Sequence, residues 1–235
     1  MKKPTGSDKT GAGKRRMAER LKTAKGRTPS QQRWLRRQLN DPYVAAARDQ
    51  GYRSRAAFKL AEMDERYHLL KRGMRVLDLG ATPGGWSQVA AKKAGVGEVA
   101  GAAVLAVDIN DMDALPGVTF LKQDFLEEGA EERIRAALGG APDAVLSDMA
   151  APATGHRQTD HLRIMALAEA AAAFAMEILA PGGLFLCKVL QGGTERALLD
   201  ELKRQFAVVR HVKPPASRAD SAELYVLATG FRGQT

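Results

Sequence analysis

From Met74 onward, short apolar runs alternate with stretches of helical periodicity. The runs have the length and composition of strands, and each helical stretch is about a dozen residues long. This alternation is typical of βαβ units, which build a parallel sheet with helices on both faces. We therefore predict an α/β fold with a doubly wound, Rossmann-like sheet. The predicted strands are 75–80, 104–109, 118–123, 144–147, 184–190, 208–212 and 224–228, and the predicted helices are 85–94, 128–138, 160–179 and 194–205.

The last two predicted strands, 208–212 and 224–228, have no helix between them that is long enough for a crossover. Parallel neighbours need such a crossover, whereas antiparallel neighbours do not. We expect a mostly parallel seven-stranded sheet whose last strand is antiparallel.

Positive charge is concentrated at the start of the chain. Residues 1–53 contain 15 Lys and Arg against 4 Asp and Glu, and the remaining residues contain 21 against 23. Residues 1–30 lack periodicity and are predicted to form a basic, disordered arm. Such an arm favours binding to a nucleic acid, although a solvated tail that only aids solubility has the same composition.

Residues 31–235 are predicted to form one domain, with a helical lead-in over 31–73 and the Rossmann-like core over 74–232. Within the lead-in we predict a short helix over 31–39, ended by Asn40-Asp41-Pro42, and a second helix from Ser54, as N-cap, to Tyr67.

Cys187 is the single cysteine and lies in an apolar run, so it forms no intrachain disulfide and no cysteine-rich metal site. The four histidines have no metal-ligand spacing, and no apolar run has transmembrane or secretory-signal character. We expect a soluble, cytoplasmic and monomeric protein without a metal or a membrane partner.

Acidic residues lie at the carboxyl ends of the first three predicted strands. Asp78 precedes a glycine-rich turn, Asp108 ends the second strand and Asp124 follows the third. Ligands of doubly wound sheets bind at this edge, although any one such acid is also a common cap of a strand end. Asp108 is placed for a ribose hydroxyl pair and Asp124 for an adenine amino group.

The glycines of the turn have the spacing Gly-x-x-x-Gly-Gly from Gly80 to Gly85, which is not the dinucleotide fingerprint. Pro83 also removes an N–H group that would bind a pyrophosphate. These features favour S-adenosylmethionine over NAD and argue against a dehydrogenase. Trp86, which follows the glycines, is predicted to line the cofactor pocket, with a simple core position as the alternative.

Lys188 lies within the apolar run 183–190. Burial of an unpaired ammonium group costs several kcal/mol, about 2–7 even for a neutral polar group. Lys188 is therefore either a structural ion-pair partner or a base.

Eight segments of the chain resemble the FtsJ (RrmJ) type of ribosomal RNA 2′-O-methyltransferase, in order and from about Arg33 to Arg232. They are 54–60 (SRAAFKL), 78–88 (DLGATPGGWSQ), 147–150 (SDMA), 179–183 (LAPGG), 188–192 (KVLQG), 213–214 (KP), 217–218 (SR) and 221–225 (SAELY).

This resemblance implies a methyltransferase fold and methylation, from S-adenosylmethionine, of the ribose 2′-hydroxyl of a uridine in the A loop of 23S rRNA. The substrate would be the large ribosomal subunit or a late assembly particle. The implied catalytic tetrad is Lys59, Asp148, Lys188 and Glu223. The implied cofactor contacts are Gly84, Trp86, Asp108, Asp124 and Asp148.

The chemistry of the tetrad agrees with this activity. A ribose hydroxyl is a poor nucleophile, so its methylation needs removal of a proton. A free lysine, with a pKa near ~10.4, is protonated at neutral pH. The nearby positive charge of Lys59 favours a neutral Lys188, which is then predicted to be the general base. The alternative is two buried ion pairs, Lys59–Glu223 and Lys188–Asp148, without a catalytic role.

Two further functions remain open at this stage. A tRNA anticodon-loop 2′-O-methyltransferase has the same tetrad. A ribosome-assembly factor could use the fold only as a binding platform, although such a protein has no need of Lys188.

Overall fold

The computed structural model describes Gly26 and residues 28–152, 154–192 and 196–233. The predicted basic arm, residues 1–30, lies outside the described residues except for Gly26 and residues 28–30. The chain divides into two compact units, one up to Ala45 and the other from Ala46 onward.

The first helix, α1 (Pro29–Leu39), begins two residues earlier than predicted because Thr28 caps it. The Thr28 hydroxyl accepts a hydrogen bond from Gln31 N at 3.3 Å, and Gln31 Oε1 accepts one from Thr28 N at 2.9 Å. This reciprocal capping box satisfies two backbone donors that a helix start otherwise leaves unpaired.

Two boundaries of the lead-in differ from the predictions. A short helix, α2 (Pro42–Asp49), was not predicted; Asp41 accepts from Tyr43 N at 3.0 Å, so the segment that ends α1 also starts α2. The next helix, α3 (Ala56–Tyr67), begins after Ser54, whose hydroxyl makes no hydrogen bond to any described residue. The prediction of Ser54 as an N-cap is therefore wrong.

All predicted strands and core helices are present, with ends that differ by at most three residues. The largest shift at a helix start is in the helix predicted over 160–179, which begins at Arg157. Asp160 lies inside its first turn and accepts from Thr154 N at 2.7 Å. Residues 194 and 195, predicted to begin the last helix, lie outside the described residues. The elements are β1 (Arg75–Leu79), α4 (Gly85–Ala94), β2 (Ala103–Asp108), β3 (Thr119–Lys122), α5 (Ala130–Leu138), β4 (Ala144–Ser147), α6 (Arg157–Ile178), β5 (Leu184–Leu190), α7 (Arg196–Gln205), β6 (Phe206–Val212) and β7 (Glu223–Phe231).

The strands form one seven-stranded sheet in the order β3-β2-β1-β4-β5-β7-β6. Strands β1 to β5 run parallel to one another, and β7 is antiparallel to both β5 and β6. The predicted fold class and the antiparallel last strand are confirmed. No described helix combines the length and the apolar character that crossing a membrane would require.

Each face of the sheet carries its own buried core. Alternate residues of β5 contribute to the two cores: Phe185 packs with α5, α6 and α7, whereas Leu184 and Leu186 pack with α3 and α4. Because side chains alternate along a strand, Lys188 projects toward the α3 face. This register brings Lys188 to the same side of the sheet as Lys59 of α3.

Two residues of α6 provide a matched test of the core. Ile178 is completely buried, whereas the Leu162 side chain is exposed to solvent. We expect Ile178→Ala to lower the free energy of unfolding by about 2–5 kcal/mol, and Leu162→Ala to change it by less than about 0.5 kcal/mol. Urea unfolding followed by circular dichroism measures both. Equal losses in the two variants would contradict the assignment of the core face of α6.

Candidate active site

The two predicted catalytic lysines meet at one carboxylate. Lys188 Nζ lies 3.0 Å from Asp148 Oδ1 and donates to the Asp148 backbone oxygen at 2.7 Å. Lys59 Nζ lies 3.6 Å from Asp148 Oδ2 and 2.8 Å from Glu223 Oε1. The four predicted residues therefore form one connected cluster, in which Asp148 joins two pairs that the alternative interpretation kept separate.

Tyr225 lies at the centre of this cluster, and the sequence analysis assigned it no role. Its hydroxyl accepts from Lys59 Nζ at 3.0 Å and donates to Asp148 Oδ1 at 2.7 Å. Burial, followed by the negative charges of Asp148 and Glu223, raises the pKa of Tyr225 well above its ordinary value. The hydroxyl therefore stays protonated and can hold the carboxylate in place.

The strand register explains how Tyr225 reaches this position. In the antiparallel pair of β5 and β7, Tyr225 lies directly opposite Lys188. Glu223, two residues earlier on β7, points to the same face of the sheet. The Glu223 carboxylate also accepts from the Ser217 hydroxyl at 2.9 Å, which ties the loop before β7 to the cluster.

A cavity of about 650 Å³ opens beside the cluster, at the carboxyl ends of β1 to β4. Three of the predicted cofactor residues, Asp108, Asp124 and Asp148, line it. Its volume lies within the range of small-molecule sites, about 300–1,000 Å³. Asp148 thus belongs both to the wall of the cavity and to the lysine cluster.

Asp108, the last residue of β2, and Asp124, which follows β3, also hold the turns after these strands. Asp108 accepts from Thr82 N at 2.9 Å and from Asn110 N at 2.8 Å. Asp124 accepts from Leu126 N at 3.0 Å. The capping role that the sequence left as an alternative is therefore present, and it leaves both carboxylates in the wall of the cavity.

The remaining lining of the cavity is mostly apolar, apart from Asn110, Gln123, Arg163 and the unpaired hydroxyl of Thr82. Ile109 and Leu126, which follow the two acids, are 64% and 60% exposed at its mouth. Thr82 Oγ1 is buried and has no hydrogen-bond partner in the described part of the chain. A buried hydroxyl without a partner is costly, so a ligand that offers a polar atom to Thr82 fits this wall.

The described residues that line the cavity do not include Gly84 or Trp86. Gly84 has a left-handed backbone, with φ of 104°, at the N-terminus of α4. The Trp86 indole is buried and donates from Nε1 to the Ala56 carbonyl at 2.8 Å, and its ring centroid lies 5.7 Å from that of Tyr225. Trp86 thus occupies the core position that was its alternative.

Arg53 connects the turn after β1 to the segment after β2. Its guanidinium donates to the backbone oxygens of Pro83 at 3.2 Å, Asp113 at 2.7 Å and Ala114 at 2.5 Å. These bonds give the segment that follows Asp108 a defined position beside the cavity.

Asp78, at the end of β1, lies beneath these turns. Its carboxyl group is buried and accepts from the Ser87 hydroxyl at 2.6 Å. Burial is the main cause that raises the pKa of Asp78 to about 7, and the nearby Asp148 and Asp108 add to it. Burial likewise raises the pKa of the Cys187 thiol to about 12, so Cys187 is a packing residue and not a nucleophile at neutral pH.

The sheet order, the antiparallel β7 and the cavity at the strand ends define an α/β methyltransferase fold. Residues 52–231 match the model of the FtsJ-like methyltransferase family. The chain belongs to this family.

Relatives and solved structures agree with this assignment. A protein of Xanthobacter autotrophicus named ribosomal RNA large subunit methyltransferase E is 64% identical over 92% of this chain and 84% of its own length. One of the same name from Paramagnetospirillum magneticum is 58% identical over 98% of this chain and 95% of its own length. A Plasmodium falciparum protein described as a ribosomal RNA methyltransferase superposes with a TM-score of 0.67 at 28% identity, covering 78% of this chain and all of the other.

The buried Asp78 carboxyl predicts a pH-dependent stability. Its pKa is about 7 in the folded chain and about 3.9 when unfolded, so between these values the folded state holds the extra proton. Asp78 therefore contributes stability below about pH 4 that is lost as the pH rises to about 7, at up to about 1.4 kcal/mol per pH unit. We expect Asp78→Asn to remove this slope, with Asp111→Asn as the exposed control. The measurement is the free energy of unfolding in urea from pH 4 to 8. The same pH dependence in wild type and Asp78→Asn would contradict this role of Asp78.

Proposed function

We propose that this protein transfers a methyl group from S-adenosylmethionine to a ribose 2′-hydroxyl of large-subunit ribosomal RNA. The observation that carries the proposal is the position of Asp148, which lines the cavity and also binds Lys59 and Lys188. A methyl donor in the cavity and a hydroxyl at the lysines would then be neighbours. The family and the names of the relatives support the same activity.

The residues of the cavity fit S-adenosylmethionine. Asp108 would accept from the ribose hydroxyls and Asp124 from the adenine amino group, with Ile109 and Leu126 offering apolar contacts to the base. Thr82 supplies the unpaired hydroxyl. When bound, the cofactor supplies a methyl group on a positively charged sulfur. The carbon of this methyl group is a good electrophile.

Gly84 and Trp86 were predicted as cofactor contacts. In this proposal they support the site without lining the cavity. Gly84 permits the turn that starts α4, and Trp86 packs against Tyr225.

Lys188 is placed to accept the proton of the attacking hydroxyl. A neutral amine has two N–H groups and one lone pair. Asp148 offers two acceptors to Lys188, its backbone oxygen at 2.7 Å and Oδ1 at 3.0 Å. These acceptors can take both N–H groups and leave the lone pair for the substrate. As the oxygen–carbon bond forms and the carbon–sulfur bond breaks, the hydroxyl proton passes to Lys188 Nζ.

The other members of the cluster position this base. Lys59 holds the Glu223 carboxylate at 2.8 Å and also reaches Asp148, so its positive charge lies beside the site of proton transfer. Tyr225, bound to both carboxylates, limits their movement.

Within this activity, we assign the methylated nucleotide to a uridine of the A loop of 23S rRNA, in the large subunit or a late assembly particle, and the protein to the cytoplasm. The relatives named for large-subunit RNA favour ribosomal RNA over tRNA. The complete lysine–carboxylate cluster favours an enzyme over an assembly factor, because buried charges are retained at a cost that binding alone does not require.

The cofactor assignment can be tested by calorimetry. We expect Asp108→Ala and Asp124→Ala each to weaken S-adenosylmethionine binding by ~1.5–3 kcal/mol, through loss of a hydrogen bond to a charged group. Asp111→Ala is the matched control, since that side chain is 85% exposed and pairs with Lys122. Unchanged affinity in both test variants would exclude this cavity as the cofactor site.

The role of Lys188 can be tested by methyl transfer to large subunits from a strain that lacks the enzyme. We expect Lys188→Ala to abolish transfer while cofactor binding persists, because the base acts in the transition state. Lys188→Arg should also be inactive, since a guanidinium does not give up its proton. Lys122→Arg, at an exposed ion pair, is the control. Near-normal turnover of Lys188→Arg would show that another group accepts the proton.

The same assay, run in parallel on tRNA from that strain, identifies the methylated nucleotide. Labelled methyl groups mapped by mass spectrometry should lie on a single 2′-oxygen of large-subunit RNA. Label on tRNA alone would favour the competing substrate, and no label on any RNA would remove the proposed activity.

A further inference from the structure

Two arginines share one aromatic ring on the α3 face of the sheet. The guanidinium carbon of Arg66 lies 5.2 Å from the centre of the Tyr67 ring, and that of Arg210 lies 5.5 Å from the same centre. Arg66 and Tyr67 end α3, whereas Arg210 belongs to β6. We call these three residues the arginine–tyrosine cluster.

Neither arginine of the cluster pairs with a carboxylate of the described residues. Other arginines of the same unit have partners that are absent here: Arg72 pairs with Glu98 and Arg135 with Glu131, whereas Arg163 and Arg232 donate to backbone oxygens. Two positive charges held at one ring repel each other, although the cation–π contacts with Tyr67 oppose this repulsion. An anion that binds both guanidinium groups would remove the repulsion.

The cluster lies at the C-terminal end of α3, where the helix dipole favours positive charge. Arg66 belongs to the last turn of this helix, whereas Arg210 reaches the same end from β6. Two guanidinium groups from different elements thus converge on one ring.

The cluster lies on the same face of the sheet as the lysine–carboxylate cluster. Arg210 is paired with Leu227 of β7, and Val212 is paired with Tyr225. The two pairs are two residues apart along the strands, so their side chains lie on the same face of the sheet. On α3, Tyr67 follows Lys59 by eight residues, a rise of ~12 Å. A nucleic-acid strand rises ~3.4 Å per nucleotide, so this distance corresponds to roughly four stacked nucleotides.

We propose that the arginine–tyrosine cluster binds phosphate groups of the RNA a few nucleotides from the methylated ribose. This rests on the proposed function and adds to it a substrate contact outside the reacting cluster. The planar guanidinium presents paired N–H donors that match phosphate oxygens, and stacking on Tyr67 orients them in advance. Phosphate is the expected anion because the proposed substrate is RNA, whose backbone carries one phosphate per nucleotide.

The test is the salt dependence of RNA binding. The probe is a transcript of large-subunit ribosomal RNA, titrated by fluorescence anisotropy over a range of KCl concentrations. Each lost phosphate contact lowers the slope of log affinity against log salt by about 0.7–0.9. We expect the double variant Arg66→Ala/Arg210→Ala to lose about 1.5 from the slope and about tenfold in affinity at low salt.

Two further double variants separate this contact from general charge and from packing. Arg196→Ala/Arg204→Ala removes the same charge from α7, where both arginines pair with acids, and should leave the slope nearly unchanged. Arg66→Lys/Arg210→Lys keeps the charge and should retain most of the slope. The affinity for S-adenosylmethionine and the turnover at saturating RNA should stay at wild-type values in all three.

Several results would overturn the proposal. These are an unchanged slope in Arg66→Ala/Arg210→Ala, an equal loss in the α7 control, or a loss of slope in the lysine variant together with a lower melting temperature. Weaker binding to assembled subunits with unchanged binding to the transcript would assign the cluster to an acidic ribosomal protein instead. The binding measurement does not depend on turnover, so a wild-type enzyme without methyl transfer would refute the proposed function separately.

Discussion

The Asp148 carboxylate is the constraint on which the arrangement of the site depends. Two lysine side chains, each about nine-tenths buried, approach within 4 Å of it, so one carboxylate serves both amino groups. The strand order β4-β5-β7 makes this possible, since it brings the residue after β4, the middle of β5 and the start of β7 together. Because β7 is antiparallel to β5, Tyr225 lies opposite Lys188. The charge network therefore depends on the topology of the sheet.

Much of the fold could be predicted because burial and sequence pattern agree in the central strands. β4 and β5 have the predicted ends, and nearly every residue in them is buried, so their apolar runs coincide with the strands. Boundaries near the surface were harder to predict, because they depend on single hydrogen bonds. α2 starts at a side chain that was interpreted only as the end of α1, and Ser54 caps nothing although its residue type favours a cap.

The candidate site shows the same division. Asp108 and Asp124 were placed in one pocket from their positions at strand ends, because the topology of a parallel sheet collects those ends at one edge, whereas Asp148 was predicted from the family resemblance. Trp86 was harder, since the direction of its indole depends on how α4 rotates against α3, and the Ala56 carbonyl captures its N–H group. The part of Tyr225 in the charge network follows from the register of β5 and β7, which no local pattern in the chain encodes.

The edge of the sheet at β6 has a consequence for contacts between copies of the protein. β6 is the last strand of the described sheet, and most of its side chains, including Val208, are at least partly open to solvent. An edge strand of this kind offers backbone groups to which a second chain could add a strand. Arg210 within the strand and Lys213 just after it oppose this, because two copies would have to bring their positive charges together. This positive charge therefore opposes pairing of the edge strand with a second copy of the protein.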